Sequence, residues 1–383
     1  RRTRSARTAE ATKAARSSGS KSSTENRCFG MTGPAGLWTP LPGEGPIAVD
    51  ALGGDGAPQV IVRGALEAVT ESGISVHLVG PQKRLRRELG RFRFLPSGLE
   101  LVDAPEVVGM NDPAISVLRG KKHSSLNVCA ELVRDGRATA MVTAGNTGAA
   151  WVAAKSALGM IDGVDRPALA AVVPKKEGHT LVLDVGANME CKPHQLVQFS
   201  VMGSFYAEAV LSVSSPKVGL MSVGEEESKG GPQARERNRV LKAAGINFIG
   251  NVEGGDVFNA DVDVIVCDGF TGNVILKVAE GFGEMVVGML MDEARQSPMY
   301  GAGLLMAKGA FRNLRSRVDY SEYGGAPLLG VNGACLIGHG KSSAKAIRNA
   351  IHFAASYSSC GVIERIGDKI LEVLESSPVG GKG

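Results

Sequence analysis

The chain has 383 residues, of which 43% are hydrophobic and 21% are charged, proportions typical of a soluble globular protein. Its formal net charge of +4 comes from the first 27 residues, which hold eight basic and two acidic side chains. The remainder has 35 basic and 37 acidic residues, so nucleic-acid binding loses its main electrostatic support, and local basic patches stay open as an alternative. The six cysteines are scattered and none forms a C-x-x-C pair, which argues against a zinc site or a redox pair.

Residues 1–45 are predicted to be a disordered basic leader, because they are rich in Arg, Ser and Thr and lack periodic apolar positions. They contain no apolar core of a secretory signal. The composition fits an organellar transit segment, with a plain flexible leader as the alternative. No run of about 18 apolar residues occurs, so no transmembrane helix is predicted.

From Pro46 onward, short apolar runs alternate with helical patterns. Strands are predicted over Ile47–Asp50, Val76–Gly80, Leu99–Asp103, Ala138–Thr143, Thr180–Asp184, Lys217–Val223, Asn247–Gly250 and Val262–Asp268. Helices are predicted near Pro58–Ser72, after Gly80, through most of Asp112–Asp135 and over Gly148–Leu158. This order predicts a three-layer α/β fold with a mostly parallel sheet and helices on both faces. Residues 46–376 are expected to form a single domain, followed by a flexible tail over 377–383.

The segment 285–318 differs from its surroundings, because it holds five of the twelve Met residues and ends in a basic helical pattern. One predicted helix face carries Leu304, Ala307, Phe311, Leu314 and Val318, flanked by Lys308, Arg312 and Arg315. An apolar stripe edged with positive charge suits a membrane surface or an acidic partner. A helix facing the core or a dimer partner would carry the same pattern. We therefore predict a protruding amphipathic helical segment here.

Three strand ends are densely polar and rich in glycine. They read Asp50-Ala51-Leu52-Gly53-Gly54-Asp55, Thr143-Ala144-Gly145-Asn146-Thr147-Gly148 and Asp268-Gly269-Phe270-Thr271-Gly272-Asn273. Open α/β sheets bind ligands beyond the carboxyl ends of their strands. Glycine lets backbone N–H groups approach an anion, and a following helix N-terminus adds positive potential. The pattern predicts an enzyme whose site gathers these residues at one carboxyl rim around a small anion such as phosphate.

The common nucleotide and hydrolase signatures are absent from the sequence. No G-x-G-x-x-G follows a predicted strand, and neither G-x-S-x-G nor H-E-x-x-H occurs. Gly340-Lys341-Ser342 resembles the end of a phosphate-binding P-loop, but Cys335 stands where that motif needs glycine. The remaining candidates are polar strand ends without a standard nucleophile or metal cluster.

Further polar blocks run in order between about residues 47 and 352. They are Ala48–Pro58, Ala144–Ala149, Leu183–Asn188, Cys191–Pro193, Val223–Glu226 with Lys229 and Gly230, Gly250–Gly254, Cys267–Lys277, Tyr323–Gly330 and His339–Ser342. Together these blocks resemble the phosphate acyltransferase family of bacterial phospholipid synthesis. The leader and the end of the chain lie outside the resemblance.

The resemblance implies transfer of a long-chain acyl group from acyl carrier protein to inorganic phosphate, which gives acyl phosphate and free carrier. It implies a fold like that of isopropylmalate dehydrogenases and phosphotransacetylases, a homodimer, and neither organic cofactor nor metal. It also implies a cytoplasmic enzyme peripheral to the membrane, contacting the membrane or a membrane acyltransferase through about 285–318. If the basic leader is a transit segment, the plastid stroma is the expected location.

The site hypotheses follow from the need to hold phosphate and stabilise an oxyanion. The candidate catalytic residues are Lys192, Asn188, Asn146 and His339. The candidate substrate- and phosphate-binding residues are Asp50, Gly53, Gly54, Asp55, Thr147, Gly148, Asn251, Asp268, Thr271, Gly272 and Asn273. Each has a structural alternative, as a turn residue, a helix cap, a surface lysine or a hydrogen-bonding histidine.

Three other functions remain open at this point. A short-chain phosphate acyltransferase that uses coenzyme A would share the fold and the chemistry. A metal- and nicotinamide-dependent dehydrogenase of similar fold would need convergent Asp ligands, and no clear set is visible. A non-catalytic protein that binds acyl carrier or lipid would not need so many polar strand ends. The Arg residues between 84 and 93 either form a solvated helix face or attract an acidic carrier protein.

Overall fold

A computed structural model of the chain describes residues 30–31, 38–39, 45–227, 229, 231–259, 261–309 and 324–376. The predicted tail, 377–383, and nearly all of the predicted leader, 1–45, lie outside the described residues. The prediction of a single domain over 46–376 stays a prediction.

The described residues form strands and helices that alternate along most of the chain. The strands are β1 (Gly30–Met31), β2 (Trp38–Thr39), β3 (Ile47–Asp50), β4 (Val76–Gly80), β5 (Leu99–Asp103), β6 (Ala140–Thr143), β7 (Ala168–Pro174), β8 (His179–Leu183), β9 (Val218–Met221), β10 (Phe248–Val252), β11 (Val264–Val266), β12 (Ala326–Leu329) and β13 (Ala334–Ile337). The helices are α1 (Gln59–Ser72), α2 (Gln82–Leu89), α3 (Ser116–Arg119), α4 (Ser125–Arg134), α5 (Thr147–Leu158), α6 (Pro193–Ala209), α7 (Gly231–Lys242), α8 (Asp256–Asn259), α9 (Gly269–Gln296), α10 (Pro298–Met306), α11 (Ala344–Ser359) and α12 (Val362–Ser376).

Eleven of these strands form one sheet, and β1 pairs with β2 separately. The order across the sheet is β10-β9-β11-β8-β7-β12-β13-β6-β3-β4-β5. Residues alternate between two apolar cores, since Ile47 and Val49 belong to one and Ala48 to the other. A strand buried on both faces needs helices on both faces. The predicted α/β class with a mostly parallel sheet is therefore confirmed.

The sheet consists of two parallel halves that point in opposite directions. One half contains β13, β6, β3, β4 and β5, and the other contains β8, β11, β9 and β10. Between them, β12 and β7 pair antiparallel with each other and with their outer neighbours, which reverses the direction. The expectation of one carboxyl rim is therefore wrong, because the two halves have separate rims.

A stagger in the central strands brings the two rims together. The pairs that set it are Ile337 with Ala326, Leu328 with Leu169, and Ala170 with Leu183. Following these pairs, the last residue of β13 and the last residue of β8 differ in height by only one residue, or about 3 Å along the strands. The loops after both rims can therefore meet where β12 pairs with β7.

The Met-rich segment begins inside α9 and continues into α10, which starts at Pro298 after the cap residue Ser297. Every residue from 281 to 290 is exposed. Residues 310–318, which carry the basic end of the predicted helix, lie outside the described residues, so the protruding amphipathic element stays a prediction. In the described part of the chain, no helix combines the length and the apolar character that crossing a membrane requires.

Gly64 sets the closest approach of α1 to α11. A Cβ at this position would lie 2.6 Å from the carbonyl oxygen of Ala344 and 2.7 Å from the Cβ of Ile347. We expect Gly64→Ala to lower the free energy of unfolding by about 1–3 kcal/mol, because the two helices must separate. Denaturant unfolding measures this change.

The matched control is Gly283→Ala on α9, where a Cβ meets no atom within 4 Å. Alanine there should raise stability by about 0.5–1 kcal/mol, since it restricts the unfolded chain without a clash. Equal stability of the two variants would contradict the proposed closeness of α1 and α11.

Candidate active site

Three loops meet at the rim of the first half-sheet, after β3, β6 and β13. The backbone N–H of Asp55 donates to the carbonyl oxygen of Gly340 at 2.8 Å. The N–H of Gly338 donates to the carbonyl oxygen of Thr143 at 2.7 Å. The first bond ties the loop after β3, which contains Gly53 and Gly54 and is called the first glycine loop, to the loop after β13, which carries His339. The second bond ties the His339 loop to the end of β6.

Asp50 lies beneath this rim and is buried. Its carboxylate accepts hydrogen bonds from the Leu52 N–H at 3.1 Å and the Thr143 hydroxyl at 2.8 Å. Burial raises its pKa, while these donors act in the opposite direction by favouring the ionised form. The structure thus gives Asp50 a role in holding the loops.

The residues after Asp50 approach the neighbouring backbone closely. A Cβ on Gly53 would lie 2.6 Å from the Gly145 nitrogen. Gly54 has a φ of 97° and lies against the Gly340 carbonyl, so both its conformation and its space favour glycine. Asp55 is exposed at the edge of the loop.

Asn146 is the N-cap of α5, and its amide is fully engaged. Its Oδ1 accepts from the Ala149 N–H at 2.9 Å, and its Nδ2 donates to the carbonyls of Met110 and Asp112. It therefore positions the loop instead of presenting a free amide to a substrate. The first-turn N–H groups of Thr147 and Gly148 have no acceptor within the helix, and anion binding by these two residues stays a prediction.

A second cluster is organised by Asp184, which sequence reasoning did not select. Asp184 follows β8 and is fully buried. Its carboxylate accepts from five N–H donors: the backbone N–H groups of Leu169, Gly186, Ala187 and Asn188 and the side-chain amide of Asn188. Burial raises its pKa, and the five donors oppose that shift. Asp184 could have been selected from the sequence because it directly follows a buried strand. Asp50, the last residue of β3, has nearly the same position.

Asn188 lies within this second cluster and is only 1% exposed. Its Nδ2 donates to Asp184 and, at 2.7 Å, to the Pro167 carbonyl, while its buried Oδ1 has no hydrogen-bond donor among the described residues. Its own carbonyl accepts from the Gly269 N–H at 2.6 Å. Asn188 therefore joins the loop after β8 to the start of α9.

The start of α9 carries the predicted residues that follow β11. Asp268 is the N-cap and accepts from the Thr271 N–H at 2.8 Å. Gly272 packs directly on the backbone of Asp184. Asn273 lies beside Gly186, within about 4 Å of where a Cβ would stand there. These contacts bring the α9 residues to the second rim.

Two predicted residues make their described hydrogen bonds to residues outside this cluster. Lys192 is exposed at the N-cap of α6, where its N–H donates to Gln195. Asn251 ends β10, three strands from β8, or about 14 Å across the sheet. Its amide donates to the carbonyls of Gly224 and Glu226, so it supports a peripheral loop.

A contact between Lys277 and His339 links the two rims. The Lys277 Nζ lies 3.2 Å from the His339 Nε2, although the two residues belong to opposite halves of the sheet. The Lys341 N–H lies 3.2 Å from the His339 Nδ1, so each ring nitrogen of His339 has a nitrogen donor beside it. A lysine ammonium and an imidazole ring therefore meet between the rims, and the positive charge of Lys277 is suited to a phosphate or an oxyanion.

Lys277 was missed by sequence reasoning, although a signal existed. It lies four residues after Asn273 on α9, so the two share a helix face.

The described residues contain no group of three or more His, Cys, Asp or Glu side chains placed to hold a metal ion.

Gly272 offers a test of how the site is held. A Cβ there would overlap the carbonyl oxygen of Asp184, so Gly272→Ala should displace α9 and with it Lys277. We expect a loss of about 1–3 kcal/mol in the free energy of unfolding.

The control is Gly281→Ala, about two and a half turns further along the same helix, where a Cβ meets no atom within 4 Å. That variant should be as stable as the parent chain or slightly more stable. If both variants unfold at the same denaturant concentration, the close packing at Gly272 is wrong.

Known proteins match the part of the chain that begins at residue 46. The sequence model of a family described as "Fatty acid synthesis protein" matches residues 46–365. A phosphate acyltransferase of Geotalea uraniireducens is 50% identical over 326 residues, which cover 85% of this chain and 94% of that protein. A phosphate acyltransferase of Geobacter sulfurreducens is 49% identical over 324 residues, with the same two coverages.

The solved structures that resemble this chain include two phosphotransacetylases. The one from Streptococcus pyogenes has a TM-score of 0.56 and 16% identity, covering 82% of this chain and 94% of its own. The EutD phosphotransacetylase from Staphylococcus aureus has a TM-score of 0.55 and 14% identity, covering 83% and 96%. At these identities the likeness concerns the fold alone.

Proposed function

The chain belongs to the phosphate acyltransferase family, and from this premise we propose that it transfers a long-chain acyl group from acyl carrier protein to inorganic phosphate. The product would be an acyl phosphate for phospholipid synthesis. The observation that carries the proposal is the Lys277–His339 contact at the meeting point of the two rims. It supplies positive charge and a donor beside loops that are rich in backbone N–H groups.

The reaction needs little covalent help from the protein. A phosphate oxygen attacks the thioester carbonyl carbon, an oxyanion forms, the C–S bond breaks and the carrier leaves as a thiolate that takes up a proton. Holding the two reactants together can contribute roughly 7–11 kcal/mol in favourable cases. The charge of Lys277, with the His339 ring beside it, is suited to the phosphate and the oxyanion, and the N-terminus of α5 adds positive potential.

A long acyl chain is supported by the surface next to Lys277. Val274, Val278, Phe282, Met285 and Met289 are exposed and follow helical spacing along α9. Apolar side chains thus begin beside the reacting groups. We extend the proposal to attachment of this stripe to the membrane surface, with a second copy of the chain as the competing occupant. The enzyme would then be cytoplasmic and peripheral to the membrane.

Turnover is the direct test of the proposal. The protein should convert acyl-carrier thioester and phosphate to an acyl phosphate that hydroxylamine traps, and it should prefer that donor to short-chain acyl-coenzyme A. Lys277→Met should lower kcat/KM by about 100-fold, because it removes one charge-stabilising donor. The control is Lys369→Met, whose ammonium pairs with Glu372 on the surface of α12.

A folded protein that makes no phosphate-dependent product would overturn the assignment. Lys192→Ala tests, in the same assay, the lysine that the sequence predicted. Loss of turnover at an unchanged melting temperature would support a catalytic role for Lys192, and parental rates would remove it from the mechanism.

Membrane attachment has a separate test in the exposed stripe. Phe282 and Met289 lie seven residues apart on one face of α9, so Phe282→Glu with Met289→Glu places two charges on the stripe. We expect the double variant to stop floating with vesicles of anionic phospholipid. Val223→Glu is the control, because Val223 is an exposed apolar residue on a different loop.

Continued flotation of the double variant would exclude the stripe as the membrane contact. A change from dimer to monomer in sedimentation, with flotation intact, would assign the stripe to a second copy of the chain.

A further inference from the structure

A band of positive charge lies on α2 and the turn that follows it. Its members, which we call the α2 basic surface, are all exposed: Lys83, Arg84, Arg86, Arg87, Arg91 and Arg93. The acidic residue of this stretch, Glu88, is buried and pairs with Arg91 at 3.1 Å. The surface therefore presents a strong excess of positive charge to the solvent.

The amphipathic sequence of α2 explains why the charges point outward. Leu85 and Leu89 are buried in the apolar core and fix one face of the helix. Two exposed apolar residues follow it, Phe94 at 81% and Leu95 at 53%, and the Arg93 guanidinium lies 5.6 Å from the centre of the Phe94 ring. Exposed aromatic and arginine side chains side by side are the composition of a protein-binding surface.

The α2 basic surface begins beside the first glycine loop. Helix α2 follows β4, which runs parallel to β3, so both carboxyl ends lie at the same rim. The Arg84 Nη2 lies 3.4 Å from the carbonyl oxygen of Ala57, just beyond that loop. Since α2 has eight residues, it spans only about 12 Å from this point. A protein bound to it would stand next to the cleft without filling it.

We propose that the α2 basic surface docks an acidic helical face of the acyl carrier protein. The inference rests on the proposed function, because it names where that donor binds. A carrier holds its thioester at the end of a long prosthetic arm, so its body must rest on the rim while the arm enters the cleft. Opposite charge on the two surfaces accelerates encounter and fixes orientation.

The test separates docking from chemistry by using two donors. One is the acyl-carrier thioester, and the other is the same acyl group on phosphopantetheine alone. For Arg86→Glu with Arg87→Glu, we expect the KM for acyl carrier to rise about tenfold while kcat stays unchanged. Kinetics with acyl-phosphopantetheine should match the parent chain, and the salt dependence of the carrier KM should weaken.

The matched control is Arg235→Glu with Arg239→Glu on α7, which packs beside β10 at the opposite end of the sheet. It makes the same change in net charge and should leave both donors unaffected. An equal rise of the carrier KM in the control would reduce the effect to net charge and overturn the proposal.

Each of the remaining kinetic outcomes leads to a different conclusion. An unchanged carrier KM in the α2 variant, with acyl phosphate still formed, would overturn docking and leave the proposed function standing. Impaired kinetics with both donors would show a structural defect and also overturn docking. Loss of binding to anionic vesicles at an unchanged carrier KM would assign the surface to a membrane instead. Failure of the parent chain with both donors would refute the proposed function itself.

Discussion

The carboxylate of Asp184 is the constraint on which the site depends. Five N–H donors converge on it and shape the loop after β8. Gly272 packs against the backbone of that residue, which fixes where α9 begins. Two turns later, the same helix places Lys277 against His339 from the other half of the sheet. A buried charge at the end of one strand thus positions a cation at the edge of another.

Asp50 has the corresponding position in the first half of the sheet. It lies at the end of a buried strand, accepts N–H and hydroxyl donors, and holds a glycine loop against a neighbouring loop. In both halves the carboxylate is buried and holds a loop at the carboxyl rim of its half-sheet. The same arrangement therefore occurs in both halves: a buried carboxylate is tolerated because several hydrogen bonds compensate the free-energy cost of removing it from water.

Much of the fold could be predicted from the sequence, since strands such as β3, β4 and β5 begin and end where the apolar runs do. The central strands could not be. Strand β12 reads Ala-Pro-Leu-Leu and β13 reads Ala-Cys-Leu-Ile, which are short and poor in β-branched residues. Strand β7 begins with small residues. Because these strands reverse the direction of the sheet, missing them gave one rim where the structure has two.

For the candidate site, too, the sequence predicted some features and missed others. Local glycine and polar patterns correctly pointed to loops that meet, as Gly53, Gly54 and Gly272 do. They did not distinguish a side chain that contacts a ligand from one that builds the loop, because capping and binding use the same residue types. Asn146 and Asp268 are caps by geometry. Lys277 was missed because its importance arises from a contact with His339, 62 residues away in the chain.

Helix α9 connects Lys277 to the exposed apolar stripe. Lys277 lies near its beginning, and Met289 lies twelve residues further on, about 18 Å along one continuous helix. Three glycines lie between them, Gly281, Gly283 and Gly288, and a Cβ at any of these positions would meet no atom within 4 Å. Glycine lowers the stability of a helix interior, so this stretch is intrinsically weaker than one built of alanine. If the exposed stripe is attached as proposed, the stiffness of this glycine-containing stretch would set how strongly a displacement at the attached surface is transmitted to Lys277.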